Sequence, residues 1–425
     1  MPVDLVLDVE KDDGSFNVTL RDLLRDRAIQ DTIRRVHLKS GDPTLLRSII
    51  SPLTASPEVP QSTSVESLIL LDESGVPVDV SDFFAHYSFP KLQRLGLHNC
   101  TFSSWHLITS RTPVLTTLDL FFRRFFYSYS PTTSQLLLIL ASYPTLQKVS
   151  LSWTDDFNGG GGGSNDGGGD PSLQVQLHHL RELKLRGCLR DVFGLLNRLD
   201  HPGHMEHLVL ILDSCRVEDI LPTVGPYLRD YLSHRGGFRN ELGLSLMLPS
   251  SDNLELQISD AGGVDFSAPV PARVNAFVAI TVHFYPDLPE DQLDKLILDL
   301  IAHTPQEEVV YFRVHDESVA MEAISTQFPN LRGLHFKETP LTVAFPASIL
   351  DRGVEIFPSL EYILLDWVVV DGGDWSPLTT FLDWRVSSGN QLHTLVMIGT
   401  YWAAPPGLKD VVREFKHGTF GSVVP

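Results

Sequence analysis

Cysteines and basic residues are both scarce in this chain of 425 residues. Its three cysteines, Cys100, Cys188 and Cys215, are too few for a disulfide framework or a four-thiolate metal site, which suits a reducing compartment. Lysine and arginine number 33 against 53 aspartates and glutamates, so the formal net charge is −20. That charge opposes the phosphate neutralisation on which nucleic-acid binding depends, and it opposes adsorption to anionic lipid. We therefore expect neither nucleic acid nor a membrane among the partners.

Long apolar runs and targeting signals are missing as well. The best candidate for a membrane span, Gln135–Ala141, is far shorter than the roughly 18 apolar residues that a spanning helix needs. The first ten residues contain neither a basic segment nor a long apolar one, so they do not resemble a signal peptide. A cytoplasmic or nuclear location is expected.

Catalytic and metal-binding motifs are a third absence. The chain has no Gly-x-Ser-x-Gly, Cys-x-x-Cys or His-Glu-x-x-His sequence. His201, His204 and His207 are spaced by three, but Pro202 and Gly203 place a turn among them, and no carboxylate or thiolate completes the set. We expect no enzymatic activity, no metal and no cofactor. A hydrolase in the irregular middle of the chain is the remaining enzymatic alternative.

One phrase recurs along the chain: a leucine-like residue, two residues, a second leucine-like residue, one residue, and a third. It begins at nine positions, which are Val65, Leu92, Leu115, Leu146, Leu180, Met205, Leu331, Leu360 and Leu392. In an extended segment the last two leucine-like side chains point the same way. One strand cannot bury them alone, so we predict that successive strands stack in parallel with their leucines inside.

Helical patterns and further strands fill the intervals between the phrases. A proline stands just before four of the phrases, where it ends the preceding helix. The predicted helices are Pro43–Ile50, Ser134–Ser142, Asp191–Leu199, Glu290–His303 and Glu317–Gln327. The further predicted strands are Val3–Val9, Ile33–Leu38, Leu242–Leu248, Val278–Phe284 and Val309–Phe312.

The phrases resemble those of leucine-rich-repeat proteins. The form Phe89–Leu97, echoed at Phe328–Phe336 and Phe357–Leu365, is similar to that of fungal F-box proteins with a divergent leucine-rich array. The resemblance implies a protein-protein interaction module, the substrate-recognition part of an F-box-type (SCF) ubiquitin-ligase receptor. In that family an N-terminal F-box opening with Leu-Pro-x-Glu binds a Skp-type adaptor. No such helix precedes the first strand here, so a Skp-type adaptor is expected only with an F-box upstream. An F-box-less scaffold unrelated to ubiquitin is the alternative.

The resemblance also implies the architecture. We predict one α/β leucine-rich-repeat solenoid over 1–425, curved, with the parallel sheet on its concave face and the helices on its convex face. Cys100 and Cys188 stand where such repeats turn off the strand. A glycine-rich insertion at 156–171 is expected to be disordered, and 217–275 is an irregular central region. A C-terminal cap is expected at 403–425, with a helix at Leu408–Phe415.

The candidate protein-binding surface consists of residues that point away from the leucines, together with the aromatic segment Leu120–Tyr129. Aromatic residues and arginine dominate interface hot spots, but alternate aromatics could equally complete the core. A basic stripe of Lys148, Lys184 and Arg186 suggests an acidic or phosphorylated partner segment, the alternative being ordinary solvated charges. The full set is Arg94, His98, Asp119, Phe121, Phe122, Arg123, Arg124, Lys148, Glu182, Lys184 and Arg186.

Overall fold

Sixteen principal strands with intervening helices give the chain a mixed α/β fold. The computed structural model describes residues 3–9, 32–50, 61–74, 76–102, 106–123, 132–154, 173–200, 205–234, 241–250, 253–261, 276–284, 290–315, 321–347, 356–399 and 404–418. Contacts divide the chain into two compact units, 1–213 and 214–425, with eight of the strands in each. Within these ranges no helix has the length and apolar character required to cross a bilayer.

The strands of the first unit are all parallel and follow one another in chain order. They are β1 (Val3–Val9), β2 (Ile33–Ser40), β3 (Ser67–Asp72), β4 (Arg94–His98), β5 (Thr117–Arg123), β6 (Lys148–Thr154), β7 (Glu182–Cys188) and β8 (His207–Cys215). Every leucine phrase before residue 213 therefore forms a strand, as predicted. The alternating strands at Val3–Val9 and Ile33–Leu38 are confirmed as well, the second running on to Ser40.

The register of these strands aligns the same position of every phrase. The central leucine-like residues face one another in the order Leu68, Leu95, Leu118, Val149, Leu183 and Leu208. All six are at most 2% exposed. Each buried leucine-sized side chain contributes about 1.5–3 kcal/mol, so stacking supplies the stability that one strand lacks.

Helices lie between most of these strands. They are α1 (Pro43–Ile50), α2 (Ser81–His86), α3 (His106–Arg111), α4 (Thr133–Ala141) and α5 (Leu189–Leu196). A capping box begins α4: the backbone N–H of Gln135 donates to the Thr132 hydroxyl, and the Thr132 N–H donates to the Gln135 side chain. Short strands Val78–Asp79 and Cys100–Thr101 pair on the way to α2 and α3. The predicted glycine-rich insertion at 156–171 lies outside the described residues.

The second unit contains one antiparallel strand among parallel ones. Its strands are β9 (Leu242–Ser250), β10 (Asn253–Asp260), β11 (Ala276–Phe284), β12 (Val309–His315), β13 (Gly333–Lys337), β14 (Tyr362–Asp366), β15 (Thr394–Ile398) and β16 (Glu414–Gly418). The sheet order is β11-β10-β9-β12-β13-β14-β15-β16, and among these described strands only β10 runs against its neighbours. The irregular central region thus continues as paired strands, with a hairpin that the leucine phrase does not encode.

Helices of the second unit correct two sequence-based expectations. They are α6 (Val217–His234), α7 (Glu290–Ile301), α8 (Met321–Gln327), α9 (Leu341–Ala344), α10 (Ser376–Ser387) and α11 (Leu408–Val411). The proline-containing stretch from Val217 forms a long helix with Pro222 and Pro226 inside it. The predicted helix Leu408–Phe415 was wrong beyond its first turn, because Glu414–Gly418 pairs with β15 as a further parallel strand.

A left-handed residue recurs where a strand ends. Asn99, Glu338, Trp367 and Gly399 follow β4, β13, β14 and β15, with φ of 56°, 53°, 55° and 69°. Each donates its backbone N–H to a carbonyl of the next strand: Phe121, Asp366, Ile398 and Gly418. The turn after β4 is thus made by Asn99, one residue before Cys100. Cys188 ends β7 and caps α5 with extended backbone instead.

Candidate functional site

Three rows of outward side chains cross β4 to β8 in the first unit. Strand register places one residue of each strand in each row. The first row is Arg94, Thr117, Lys148, Glu182 and His207. The second row is Gly96, Asp119, Ser150, Lys184 and Val209. The third row is His98, Phe121, Ser152, Arg186 and Ile211. We call this grid the first-unit face; the structure brings eight of the eleven predicted site residues together on it.

Two of the three basic residues in the predicted stripe are paired with carboxylates. The Lys148 ammonium forms an ion pair with Glu182 on the next strand. Arg186 donates from Nε to Asp213 Oδ2 at 3.0 Å and lies 3.5 Å from Oδ1 with Nη2. The Asp213 side chain is only 11% exposed, so this pair is better shielded from solvent than the first. The stripe is therefore less basic than its sequence suggests.

Lys184 and Arg94 are the unpaired cations of the first-unit face. Both side chains are exposed, and no carboxylate in the described ranges lies within ion-pair distance of either. An exposed, unpaired lysine is free to pair with a partner's anion without breaking an existing contact. Of the stripe residues, Lys184 is thus the one that can bind an acidic group directly.

His98, Asp119 and Phe121 form a half-buried cluster beside these cations. His98 Nε2 lies 3.2 Å from Asp119 Oδ2, and the His98 and Phe121 rings are 5.7 Å apart. Burial raises the pKa of Asp119, but hydrogen bonds from His98 and Ser150 and the charges of His98 and Arg94 outweigh it and leave that pKa below its ordinary value. Asp119 is therefore ionised at neutral pH, held by its neighbours.

The aromatic segment divides between the two sides of its strand. Phe121 is outward and half-buried, whereas Phe122 is 3% exposed and belongs to the core. The prediction that Phe122 lies on the binding surface was wrong, because side chains of a strand alternate. Arg123 is the last residue of β5. Arg124 and the aromatics that follow it lie outside the described residues.

A polar cluster on β12, β13 and β14 of the second unit was not predicted from the sequence. The Tyr311 hydroxyl lies 3.0 Å from His335 Nδ1, and His335 Nε2 lies 3.5 Å from Asp366 Oδ2. Burial lowers the pKa of His335 below its ordinary value although Asp366 acts in the opposite direction, so its imidazole is neutral at pH 7. Burial raises the pKa of Tyr311 strongly, so its hydroxyl stays protonated.

The alternation of inward and outward side chains, which predicted the first-unit face, could also have predicted this cluster. Tyr311, His335 and Asp366 all occupy outward positions of their strands, and Asp366 directly follows a leucine phrase. Beside them, outward Tyr362, Leu364, Val396 and Ile398 are a buried apolar cluster. In the part of the chain that the structure describes, no three His, Cys, Asp or Glu residues group closely enough to hold a metal ion.

No protein-family model matches this sequence, and no curated protein matches it either.

Proposed function

We propose that this chain is a leucine-rich-repeat protein that recognises another protein with its first-unit face. The observation that carries the proposal is the register that aligns five outward residues in each of three rows across β4 to β8. Such rows offer a continuous surface of exposed and half-buried side chains. The leucine side chains behind them hold the strands in place, so the surface is rigid before a partner binds.

Two features support the solenoid fold as part of this proposal. The phrases pair position by position, and the same left-handed turn follows β4, β13, β14 and β15. Repeat proteins stack identical units, so a recurrent turn with a recurrent hydrogen bond is what a solenoid requires. A curved solenoid with a concave sheet is accordingly the architecture that we propose.

An acidic or phosphorylated segment is the partner chemistry that the charges favour. The first-unit face and its neighbour Asp213 combine four cations (Arg94, Lys148, Lys184 and Arg186) with three carboxylates, inside a chain of net charge −20. Lys184 and Arg94 supply the attraction, because the other two cations already have carboxylate partners. The interaction should weaken as salt screens exposed charges.

Charge reversal tests the first-unit face. The Lys184→Glu variant, the wild type and an Arg190→Glu control are immobilised, and the proteins that they retain from a source lysate are quantified. Arg190 is exposed on α5, so its reversal makes the same change in net charge elsewhere. A protein retained by the wild type and the control but lost by Lys184→Glu supports the proposal. Equal retention by all three refutes the part assigned to Lys184.

The wider role that we propose is substrate recognition for an F-box-type ubiquitin ligase in the cytoplasm or nucleus. The support is the Phe-Pro-x-Leu form of three phrases, which resembles that family. Direct binding of the purified full chain to a Skp-type adaptor, measured by calorimetry, is the test. Binding supports the ligase role; absence of binding, with the first-unit face still retaining a partner, leaves the scaffold as the function.

A further inference from the structure

The second row of the first-unit face has small side chains where it crosses β4, β5 and β6. Its residues there are Gly96, Asp119 and Ser150. Along each of these strands the first and third rows are four residues apart, or about 13 Å between Cα atoms. Most side chains of these flanking rows are larger, and they are Arg94, Thr117 and Lys148 on one side and His98, Phe121 and Ser152 on the other. The second row is therefore the floor of a shallow channel that crosses the strands.

The two ends of this channel differ in chemistry. Register extends the second row to Ile69 on β3, which is half-buried. A Cβ atom added to Gly96 would lie 3.3 Å from the Cγ atoms of Ile69, so the isoleucine side chain leans over the glycine and makes this end apolar. At the other end Lys184 on β7 is exposed and level with Ser150. One row thus joins an apolar end to a cationic end.

Asp119 lies midway between these ends. It is level with both Ile69 and Lys184, because register connects them through Gly96 and Ser150. The Asp119 side chain is 32% exposed, so a partner can reach it. Two strand spacings, about 9.6 Å, separate it from each end. The channel therefore presents an apolar group, an anion and a cation at equal intervals.

This interval determines which backbone conformation of a partner fits the channel. A polyproline II segment has three residues per turn and rises about 3.1 Å per residue, so its side chains on one face repeat about every 9.3 Å. Side chains on one face of a β-strand repeat about every 6.7 Å, which is out of step with the row. An α-helix is about 10–12 Å in diameter, too wide for a gap of about 13 Å that side chains narrow from both sides.

We propose that the first-unit face binds a polyproline II segment along its second row. An acidic side chain of the segment pairs with Lys184, a basic one three residues away pairs with Asp119, and an apolar one three residues further contacts Ile69. Proline-rich segments commonly bind grooves lined by aromatic rings, and the Phe121 ring, 5.7 Å from the His98 ring, flanks this channel. The inference rests on the proposed function, since it specifies the partner segment of the same face.

Three acetylated and amidated heptapeptides test the spacing. They are Glu-Pro-Pro-Arg-Pro-Pro-Leu, the reverse sequence Leu-Pro-Pro-Arg-Pro-Pro-Glu, and Glu-Pro-Pro-Pro-Arg-Pro-Leu, whose arginine is out of step. Both directions are included because the row determines the spacing of the groups and not the direction of the segment. Calorimetry with the full chain is expected to show that the better in-step peptide binds about fivefold or more tightly than the out-of-step peptide, which cannot pair with Asp119. Equal binding of all three, or no binding, overturns the polyproline II assignment.

Two variants and a control locate the binding in the channel. Ser150→Leu fills the floor between Asp119 and Lys184 and should weaken the better peptide about tenfold or more. The control Gln147→Leu makes a similar apolar addition at an exposed residue just before the same strand and should leave the affinity unchanged. Asp119→Asn should abolish the preference for the in-step peptide, and it decides the matter if Ser150→Leu fails to fold. Equal affinity of the wild type and the folded variants refutes the site.

The Lys184→Glu variant separates this inference from the proposed function. If Lys184→Glu loses a partner protein but the wild type shows no preference among the peptides, the polyproline II segment is refuted and the first-unit face remains a recognition surface. If the in-step peptide binds the wild type and Lys184→Glu equally, the part assigned to Lys184 is refuted in both. Loss of both the partner protein and the in-step peptide supports both.

Discussion

Asn99, at the exit of β4, offers the sharpest test of how a repeat turns off its strand. Its side chain is buried, and its Nδ2 donates to Asp72 Oδ2 at 2.6 Å. Its φ of 56° lies in the left-handed region, which costs a residue with a Cβ atom about 1–2 kcal/mol. The side chain and the backbone therefore contribute separately, and two substitutions can distinguish them.

The magnitudes follow from these contacts. Asn99→Gly keeps the left-handed backbone but removes a hydrogen bond to a carboxylate, which is worth about 1.5–3 kcal/mol. Asn99→Ala removes the same bond and keeps the left-handed penalty that glycine avoids, and the greater freedom of glycine in the unfolded chain offsets about 0.5–1 kcal/mol of that difference. We expect the alanine variant to be about 1 kcal/mol less stable than the glycine variant, and both to be less stable than the wild type.

Urea denaturation followed by circular dichroism measures these free energies of unfolding. Asn330→Ala serves as the control. Asn330 is exposed and, among the residues that the structure describes, donates only to the Glu307 carbonyl, so its loss should cost less than about 1 kcal/mol. An alanine variant as stable as the wild type would show that the Asp72 contact contributes nothing. An alanine variant as stable as the glycine variant would refute the left-handed constraint.

Three further predictions concern the core, a buried cation and the first-unit face. Leu95→Asp or Leu183→Asp places an unpaired carboxylate in the leucine stack and should cost more than about 4 kcal/mol, seen as loss of soluble protein. The control Arg94→Asp changes an exposed residue on the strand of Leu95 and should fold. Arg385 is 2% exposed and donates to the Phe357 and Leu360 carbonyls at 2.9 and 2.7 Å. Arg385→Ala should therefore lower the free energy of unfolding, measured by urea denaturation, by about 3 kcal/mol. Unchanged stability would show that these two hydrogen bonds do not stabilise the segment Phe357–Leu360. The pKa of Asp119 is lowered in the folded state, so its contribution is present above the unfolded value of about 4 and is lost as the pH falls through the folded value. The stability difference between wild type and Asp119→Asn should therefore be present above about pH 4 and shrink as the pH falls further; a difference that does not change with pH would show that the neighbours of Asp119 do not lower its pKa.

Much of the sheet could be predicted because the leucine phrase determines both a strand and its register. Leu95 pairs with Leu118 for the same reason that each is buried: the equivalent position of every repeat faces the core. The direction of a strand, by contrast, could not be predicted from the leucine phrase. Leu254, Leu256 and Ile258 alternate as clearly as any phrase, but a period of two is the same in both directions, so nothing in it foretells that β10 is antiparallel.

The first-unit face was partly predictable for the same reason. Outward positions follow from alternation, and the pairing of Lys148 with Glu182 follows from register. The pairing of Arg186 with Asp213 does not, because Asp213 lies beyond the phrase of its strand. Phe415 shows how tertiary pairing overrides a local pattern: its segment has helical spacing, yet it pairs with Leu395 as a strand.

The hairpin of β9 and β10 has a consequence for the order in which the second unit folds. Leu246 pairs with Leu256, ten residues further along the chain, whereas Leu244 pairs with Phe312, 68 residues further along. The other parallel pairings of this unit join residues 20 to 32 apart, as in Leu395 with Phe415 and Ile363 with Leu395. Closing the longer loop costs only about 0.9 kcal/mol more, but long separations slow folding more than they reduce stability. The junction of β9 and β12 is therefore the last pairing that we expect to form as the chain folds, and the one on which its folding rate depends.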